Sequence, residues 1–228
     1  MKTKQSLVCG FLTVMFALAF GACSAAKGQK LTGTDSFEFA VIDNGTAYSV
    51  GAGTATEGTV NIPAYYRPNA ESDYLPVTAI GSFRGCRNII KITIPASVTS
   101  IGDNAFEDCT NLTSITIPKG VTSIGNHVFD NCTSLPEITI PANVTSIGWR
   151  AFYKCSSLTS ITIPASVTEI NSYAFGDWTA SQTINIEGHA SQAAADRAWG
   201  YGSRTVRGEI QFYGWRAHCN AKINYLGQ

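Results

Sequence analysis

The sequence predicts one β-dominated α/β solenoid, in which short coils of the chain stack on one another. Three observations support this: a phrase returns at a constant interval, polar and apolar residues alternate inside each copy, and a proline ends the alternating stretch in every copy before the last. The full copies begin at Val98, Val121, Val144 and Val167, a step of 23 residues. A shortened copy precedes them from Val77, with Phe83 and Cys86 at the expected positions. Because one coil cannot bury its apolar side alone, this period implies a single continuous core.

Each copy predicts one strand followed by a turn. The segment 114–117 alternates polar and apolar residues, as a half-buried strand does. Pro118 ends it, because proline has no amide hydrogen to donate to a neighbouring strand. A period between 20 and 29 residues with apolar residues at fixed positions is typical of leucine-rich-repeat solenoids. We therefore expect a right-handed solenoid of 23-residue coils, with a parallel sheet on its concave face.

The two ends of a solenoid need caps, since a terminal coil would otherwise expose apolar side chains. Residues 37–42 and 47–50 alternate on either side of a turn, which predicts an N-terminal hairpin. Beyond Glu187, residues 191–199 favour a short helix and 208–213 a strand. The predicted boundaries are a signal peptide (1–22), a tether (23–36), the N-terminal cap and first strand (37–76), the repeats (77–187) and the C-terminal cap (188–228).

The beginning of the chain predicts export. After a short basic start, residues 7–20 form an apolar run that suits a signal peptide and is too short for a typical spanning helix. Residues 18–23 resemble a bacterial lipobox, which predicts lipidation at Cys23, although Phe20 stands where Leu is usual. We expect a protein anchored by lipid to the outer membrane or cell surface. The alternatives are ordinary secretion, with cleavage after Ala25 or Ala26, and a retained membrane anchor.

Charge and histidine content exclude two classes of function. The chain has 16 basic and 16 acidic residues and so lacks the basic excess of a nucleic-acid-binding protein. Its histidines, His127, His189 and His218, have no nucleophile or carboxylate at a recognisable motif spacing. We therefore expect no enzymatic activity. No cofactor or metal is predicted, since Asp-rich calcium repeats are missing from the sequence.

Cysteines recur at one position of the repeat. The positions are Cys86, Cys109, Cys132 and Cys155, and Trp178 takes the fifth. Residues at one position stack about 4.8 Å apart on successive coils with parallel side chains, which is poor disulfide geometry. We expect a ladder of buried thiols that pack as small apolar groups. A zinc site is the weaker interpretation, because zinc ligands usually come in closely spaced pairs.

The outward positions of the predicted sheet form a candidate binding face. One row contains Thr116, Thr139 and Thr162, and the neighbouring row contains Lys91 and Glu137. The alternative is that threonine simply suits an exposed strand position. Six strands span only about 25 Å, and a standard contact needs roughly 800 Å² from each partner. The flanking loops would therefore have to take part.

Two loops provide further candidates. Trp149 and Arg150 interrupt a polar position of the repeat, and both residue types are enriched at binding hot spots. The alternative is a tryptophan that lies flat over the side of the solenoid. The loop 65–74 contains Tyr65, Tyr66 and Tyr74 and has the composition of a binding loop, although it could serve only to seal the first coil.

The repeat unit VTSIG…AF…C…L..ITIP, the opening at 37–47 and the segment 76–81 resemble the BspA-like, or Treponema-type, leucine-rich-repeat family of exported bacterial proteins. The resemblance covers about residues 36–187. It implies a curved solenoid at the cell surface or in the envelope, and some members bind host matrix proteins, plasma proteins or other bacteria. It transfers no functional residue, because the shared positions are structural.

These observations together lead us to expect a surface lipoprotein without enzymatic activity that binds a protein or a glycan. The alternative is a structural or assembly component of the cell envelope without a host ligand. The sequence does not determine the oligomeric state.

Overall fold

The computed structural model describes residues 37–206 and 209–227, which wind into a solenoid. The predicted signal peptide, the tether and Cys23 lie outside the described residues. In chain order the strands are β1 (Glu38–Ile42), β2 (Ala47–Gly51), β3 (Glu57–Asn61), β4 (Tyr65–Tyr66), β5 (Leu75–Ile80), β6 (Asn88–Thr93), β7 (Ser100–Ile101), β8 (Ser114–Ile115), β9 (Ser123–Ile124), β10 (Ser146–Ile147), β11 (Ser160–Ile163), β12 (Glu169–Ile170), β13 (Thr183–Glu187), β14 (Tyr201–Val206), β15 (Glu209–Gly214) and β16 (Lys222–Leu226). The helix α1 (Gln192–Trp199) follows β13.

The predicted parallel pairing is confirmed in two groups of strands, which we together call the sheet ladder; the predicted single sheet is interrupted between them at residues 135–140. Strands β3, β6 and β8 pair in parallel, and so do β11, β13 and β16. In the second group Ser160 is the partner of Thr183, 23 residues further along the chain. Along β11, Ile161 and Ile163 are buried while Ser160 and Thr162 face outward. The alternation read from the sequence therefore separates the core from the exposed face.

A second parallel ladder, which we had not predicted, runs along another side of the coils. It consists mainly of two-residue strands from the Val-Thr-Ser-Ile phrase, such as β9, β10 and β12. In it Ser146 is the partner of both Ser123 and Glu169. The Thr145 amide also donates to the Thr122 carbonyl at 2.8 Å. Neighbouring coils are therefore joined along this second ladder as well as along the sheet ladder, and amides of the turns add further bonds, such as that from Phe106 to the Val128 carbonyl at 2.9 Å.

Two columns of side chains fill the interior. The phenylalanines Phe83, Phe106, Phe129, Phe152 and Phe175 lie one above another, with centroids of neighbouring rings 5.5–5.8 Å apart. The cysteine column beside them is buried, as predicted, and its four members carry no disulfide. The Cys132 thiol donates a hydrogen bond to the Phe106 carbonyl at 3.1 Å, and Cys155 does the same to Phe129. These thiols are therefore hydrogen-bond donors as well as small apolar groups.

The end of the cysteine column keeps the same bond with a different donor. At the fifth position the Trp178 indole Nε1 donates to the Phe152 carbonyl at 2.8 Å. Trp178 is buried and meets the last phenylalanine, Phe175, edge to face. Trp178 therefore ends the column of cysteines, and its indole nitrogen donates the hydrogen bond to the Phe152 carbonyl that a thiol donates in the earlier coils.

Both ends of the solenoid have the predicted kind of cap. Strands β1 and β2 form the N-terminal hairpin, and β2 then pairs in parallel with β5. At the other end α1 begins after Ser191, whose hydroxyl accepts a hydrogen bond from the Ala194 amide. A β14–β15 hairpin follows, and β16 returns to pair with β13. The C-terminal segment thus adds one more strand to the sheet ladder.

Candidate binding surface

The outward face of the sheet ladder carries the predicted rows of polar side chains. Its exposed members include Lys91, Thr116 and Thr162, and Glu137 and Thr139 are exposed on the segment 135–140 between the two groups of strands, which forms no strand itself. Strand β16 extends both rows, because Lys222 pairs with Thr183 and Asn224 with Asn185. The Asn224 amide donates to the Asn185 side-chain oxygen at 2.9 Å. The face carries hydroxyls and amides with few charges.

Threonines on the opposite ladder have a structural role. The Thr145 hydroxyl donates to the Thr122 carbonyl at 3.2 Å, and the Thr168 hydroxyl donates to the Thr145 carbonyl at 3.3 Å. Recurring threonine is therefore explained here by bonds between coils. On the sheet face, by contrast, the hydroxyls point into solvent.

A cluster that we call the aromatic flank lies on the turn side of the later coils. It consists of Trp149, Arg150, Tyr153 and Tyr173. The Arg150 guanidinium lies 4.9 Å from the centre of the Trp149 ring, 4.5 Å from Tyr153 and 5.9 Å from Tyr173. Trp149 is 41% exposed, and its ring forms a T-shaped contact with the His127 imidazole, with ring centroids 4.5 Å apart. The tryptophan is held by cation–π and edge-to-face contacts while much of its ring meets solvent.

The backbone gives a reason to regard Arg150 as unusual. It lies in a left-handed turn that every regular coil repeats, with φ of 60° at Asn104, 53° at His127 and 53° at Arg150. Asparagine tolerates this conformation best among residues with a side chain, whereas most others lose roughly 1–2 kcal/mol there. An arginine is therefore not required by the turn. Its contacts with the aromatic rings offset part of that cost.

The N-terminal loop divides into exposed and packed tyrosines. Tyr65 is 58% exposed and Tyr74 is 60% exposed, with the Arg67 guanidinium 4.4 Å above the Tyr74 ring. Tyr66 instead stacks on Phe39, with ring centroids 3.6 Å apart. The surface of this loop that a partner could contact comes mainly from Tyr65 and Tyr74.

A group that sequence reasoning missed is formed by Glu107, His127 and Asp130, which we call the carboxylate–imidazole cluster. The His127 Nδ1 and Asp130 Oδ2 atoms are 2.7 Å apart. Burial raises the pKa of the Asp130 carboxyl, although the hydrogen bond and charge of His127 act in the opposite direction. The signal was present in the sequence: Glu107 and Asp130 share one repeat position, and His127 lies three residues before Asp130.

The C-terminal cap is fixed by an ion pair. Arg216 donates to both carboxylate oxygens of Asp196, at 3.0 and 2.8 Å, and the Trp215 indole donates to one of them at 2.9 Å. The same guanidinium lies 3.8 Å from the centre of the Tyr201 ring. The bidentate geometry holds α1 against the last turn of the chain.

No helix in the described part of the chain is long and apolar enough to cross a membrane.

Comparison with known proteins identifies similar chains. A model of the BspA type leucine-rich repeat region matches residues 78–195, in six copies. The crystal structure of a leucine-rich repeat protein from T. pallidum is similar at 31% identity and a TM-score of 0.61, covering 69% of this chain and 71% of that chain. A leucine-rich repeat protein from Bacteroides ovatus is similar at 27% identity and 0.58, covering 70% of this chain and 50% of that chain. No curated protein matches the chain significantly.

Proposed function

The chain belongs to the BspA-type leucine-rich repeat family, and from that premise we propose that it is a binding protein whose aromatic flank and loops contact a partner protein. Leucine-rich repeat domains generally mediate contacts between proteins and are typically non-enzymatic. Proteins of the BspA type are typically exported or surface proteins of bacteria.

The observation that carries the proposal is the exposed Trp149 ring. Neighbouring coils have small or polar residues at its position, such as Asn126 and Ser172, so the fold does not require a tryptophan there. Exposed tryptophan beside arginine is typical of binding hot spots. The contacts with His127 and Arg150 hold the ring in one orientation, which lowers the entropy lost on binding.

The sheet face and the N-terminal loop enlarge this surface. Lys91, Glu137 and the row Thr116, Thr139 and Thr162 would provide polar contacts along the sheet face. Tyr65 and Tyr74 would add a second aromatic contact at the other end of the solenoid. The partner is a protein, such as a host matrix or plasma protein, and a glycan is the alternative ligand.

The proposal places the protein at the bacterial surface, held by a lipid on Cys23. The lipobox-like residues before Cys23 support this part of the proposal. Incorporation of a labelled fatty acid by bacteria that express the full chain would test it, with Cys23→Ala as the control. Equal labelling of both chains would contradict the anchor while leaving the binding function open.

A capture experiment tests the binding function. The purified protein is immobilised and exposed to plasma and to solubilised matrix proteins, and the affinity for each captured protein is then measured. We compare Trp149→Ser, which introduces the residue that the next coil has at Ser172, with a Tyr65→Ser, Tyr74→Ser double variant. Loss of a hot spot costs about 2 kcal/mol or more, so we expect Trp149→Ser to weaken binding by roughly 30-fold.

The pattern of results distinguishes the possible contact areas. Weakened binding only in the double tyrosine variant would move the contact to the N-terminal loop. Unchanged binding in both variants would refute the proposed hot spots. If nothing is captured and the protein forms a stable ring or filament in solution, a structural role in the envelope is favoured instead.

A further inference from the structure

One column on the surface of the solenoid places two carboxylates next to each other. Glu107 and Asp130 occupy the same position in successive coils, and the coil before them has Arg84 there. Like charges opposite each other on adjacent strands of backbone are destabilising. Arg84 lies on the Glu107 side only and pairs with it at 3.0 Å. A cation between the two carboxylates would therefore relieve this repulsion.

The side chains concerned are largely removed from solvent. The exposed fraction is 13% for Glu107, 17% for His127 and 10% for Asp130. Buried charges in proteins are paired or bind metal ions, because burial alone is very costly. The His127 imidazole contacts Asp130 through Nδ1, and a ring nitrogen binds a metal ion only when it carries no proton. This is the environment in which a divalent cation would lower the energy of the folded state.

We propose that Glu107, His127 and Asp130 form a zinc-binding site that joins two coils. One ligand atom from each side chain lies within 4.8 Å of the other two, so a small shift brings all three around one ion. A ring nitrogen and two carboxylate oxygens are ordinary zinc ligands, with bonds of about 2.0–2.2 Å. The imidazole favours zinc over calcium or magnesium, which prefer oxygen ligands only. The fourth position of the tetrahedron is left for water or for a group of a partner.

Neighbouring side chains already orient the ligands. Arg84 Nη2 donates to Glu107 Oε1, and Asn104 Nδ2 donates to Glu107 Oε2. Each carboxylate oxygen retains a lone pair, and hydrogen bonds of this kind are typical around ligating carboxylates. The Trp149 ring meets the His127 imidazole edge to face at 4.5 Å and limits its rotation. Two carboxylates balance the two positive charges of zinc, and Arg84, at 45% exposure, is screened by solvent.

Zinc titration of the full chain, after treatment with a chelator, tests this site. Binding is measured by calorimetry and by the melting temperature. His127→Asn removes the imidazole and introduces the residue that the preceding coil has in the same left-handed turn, Asn104. Glu107→Gln removes one carboxylate with little change in shape. The matched control is Asp108→Asn, which removes a neighbouring carboxylate from the same coil but not from the cluster.

We expect the wild type and Asp108→Asn to bind one zinc ion here with equal affinity. Each ligand variant should weaken this binding by at least about tenfold, since even surrounding residues have effects of 10–100-fold. Zinc at 100 times its dissociation constant should raise the melting temperature by about 5–10 °C. Cobalt provides a spectroscopic check, because its visible absorption reports the ligand geometry.

Two results would overturn the proposal. One is a wild-type protein whose melting temperature does not respond to zinc. The other is zinc binding that His127→Asn and Glu107→Gln leave unchanged, which would place the ion elsewhere in the chain. The melting temperatures of the variants without zinc show whether each is folded. The site does not depend on the proposed binding function, and neither result bears on it.

Discussion

A close approach between the backbones of two coils predicts a large effect for Gly148→Ala. A Cβ atom on Gly148 would lie 2.5 Å from the Gly125 carbonyl carbon and 2.7 Å from the Asn126 amide nitrogen. Ordinary contacts begin near 3.4 Å, so the overlap is roughly 1 Å and falls entirely on backbone atoms. Because those atoms belong to the neighbouring coil, the overlap can be removed only if the two coils move apart. Overpacking costs about 1–3 kcal/mol, and we place this variant at the upper end.

The same glycine position in two other coils supplies an internal control series. At Gly102 the nearest atom is the Ile80 carbonyl oxygen at 3.2 Å, so Gly102→Ala should change stability by less than about 1 kcal/mol. At Gly125 a Cβ would meet the Asp103 carboxylate, which can swing away. That movement gives up hydrogen bonds to Asn126 at 2.8 and 3.1 Å, which predicts about 1–2 kcal/mol. From the most to the least stable variant, the expected order is therefore Gly102→Ala, Gly125→Ala and Gly148→Ala.

Urea unfolding followed by circular dichroism measures all three variants. For a chain of this size about 3 kcal/mol corresponds to roughly 6–12 °C in the melting temperature, which is well resolved. Equal stability of Gly148→Ala and Gly102→Ala would refute the reasoning. It would mean that neighbouring coils separate at little cost and that the close approach does not stabilise the fold.

Two further changes test the column and the cap. Trp178→Phe keeps an aromatic ring but removes the donor to the Phe152 carbonyl, so the free energy of unfolding should fall by about 1–3 kcal/mol. The control is Trp149→Phe at an exposed position, which should cost less than about 0.5 kcal/mol. Equal losses of the two variants in urea unfolding would contradict the role of the indole nitrogen. Partial burial would raise the pKa of Asp196, but hydrogen bonds from Arg216 outweigh it and the pKa lies below the ordinary 3.8. The ion pair therefore stabilises the folded state above pH 4 and is lost as the pH falls through the depressed pKa. The melting temperature of Asp196→Asn should be several degrees below that of the wild type at pH 7, and this difference should disappear at lower pH. A difference that does not change with pH would contradict the contribution of the ion pair.

Periodicity made much of the interior predictable. Phe106 and Cys132 recur at fixed positions, so their burial and stacking follow from the spacing alone. The hairpin and α1 were also predictable, because alternation and a serine cap are local signals. The second ladder was not, since a strand such as β9 has two residues and two residues show no alternation.

The exposure and contacts of the surface residues could not be predicted from the sequence. Trp149 stood out in the sequence, but its exposed fraction depends on how His127 and Arg150 contact its ring. Tyr66 had the same composition signal as Tyr65, yet it is packed on a phenylalanine. The carboxylate–imidazole cluster was missed because its members come from two coils, and metal ligands are usually sought close together along the chain.

The hydrogen bonds that join one coil to the next also limit how this chain can change in length. Thr145 bonds to Thr122, and Asn126 to Asp103, in each case 23 residues away. An insertion or deletion of 23 residues within the regular coils restores all of these partners. The shortened coil that begins at Val77 shows where another length is accepted, because Ala79 still pairs with Ser100, 21 residues away, next to the N-terminal cap. We therefore expect natural relatives to differ in length by whole coils. The bonds that stabilise one solenoid thus define the unit by which such proteins grow and shorten.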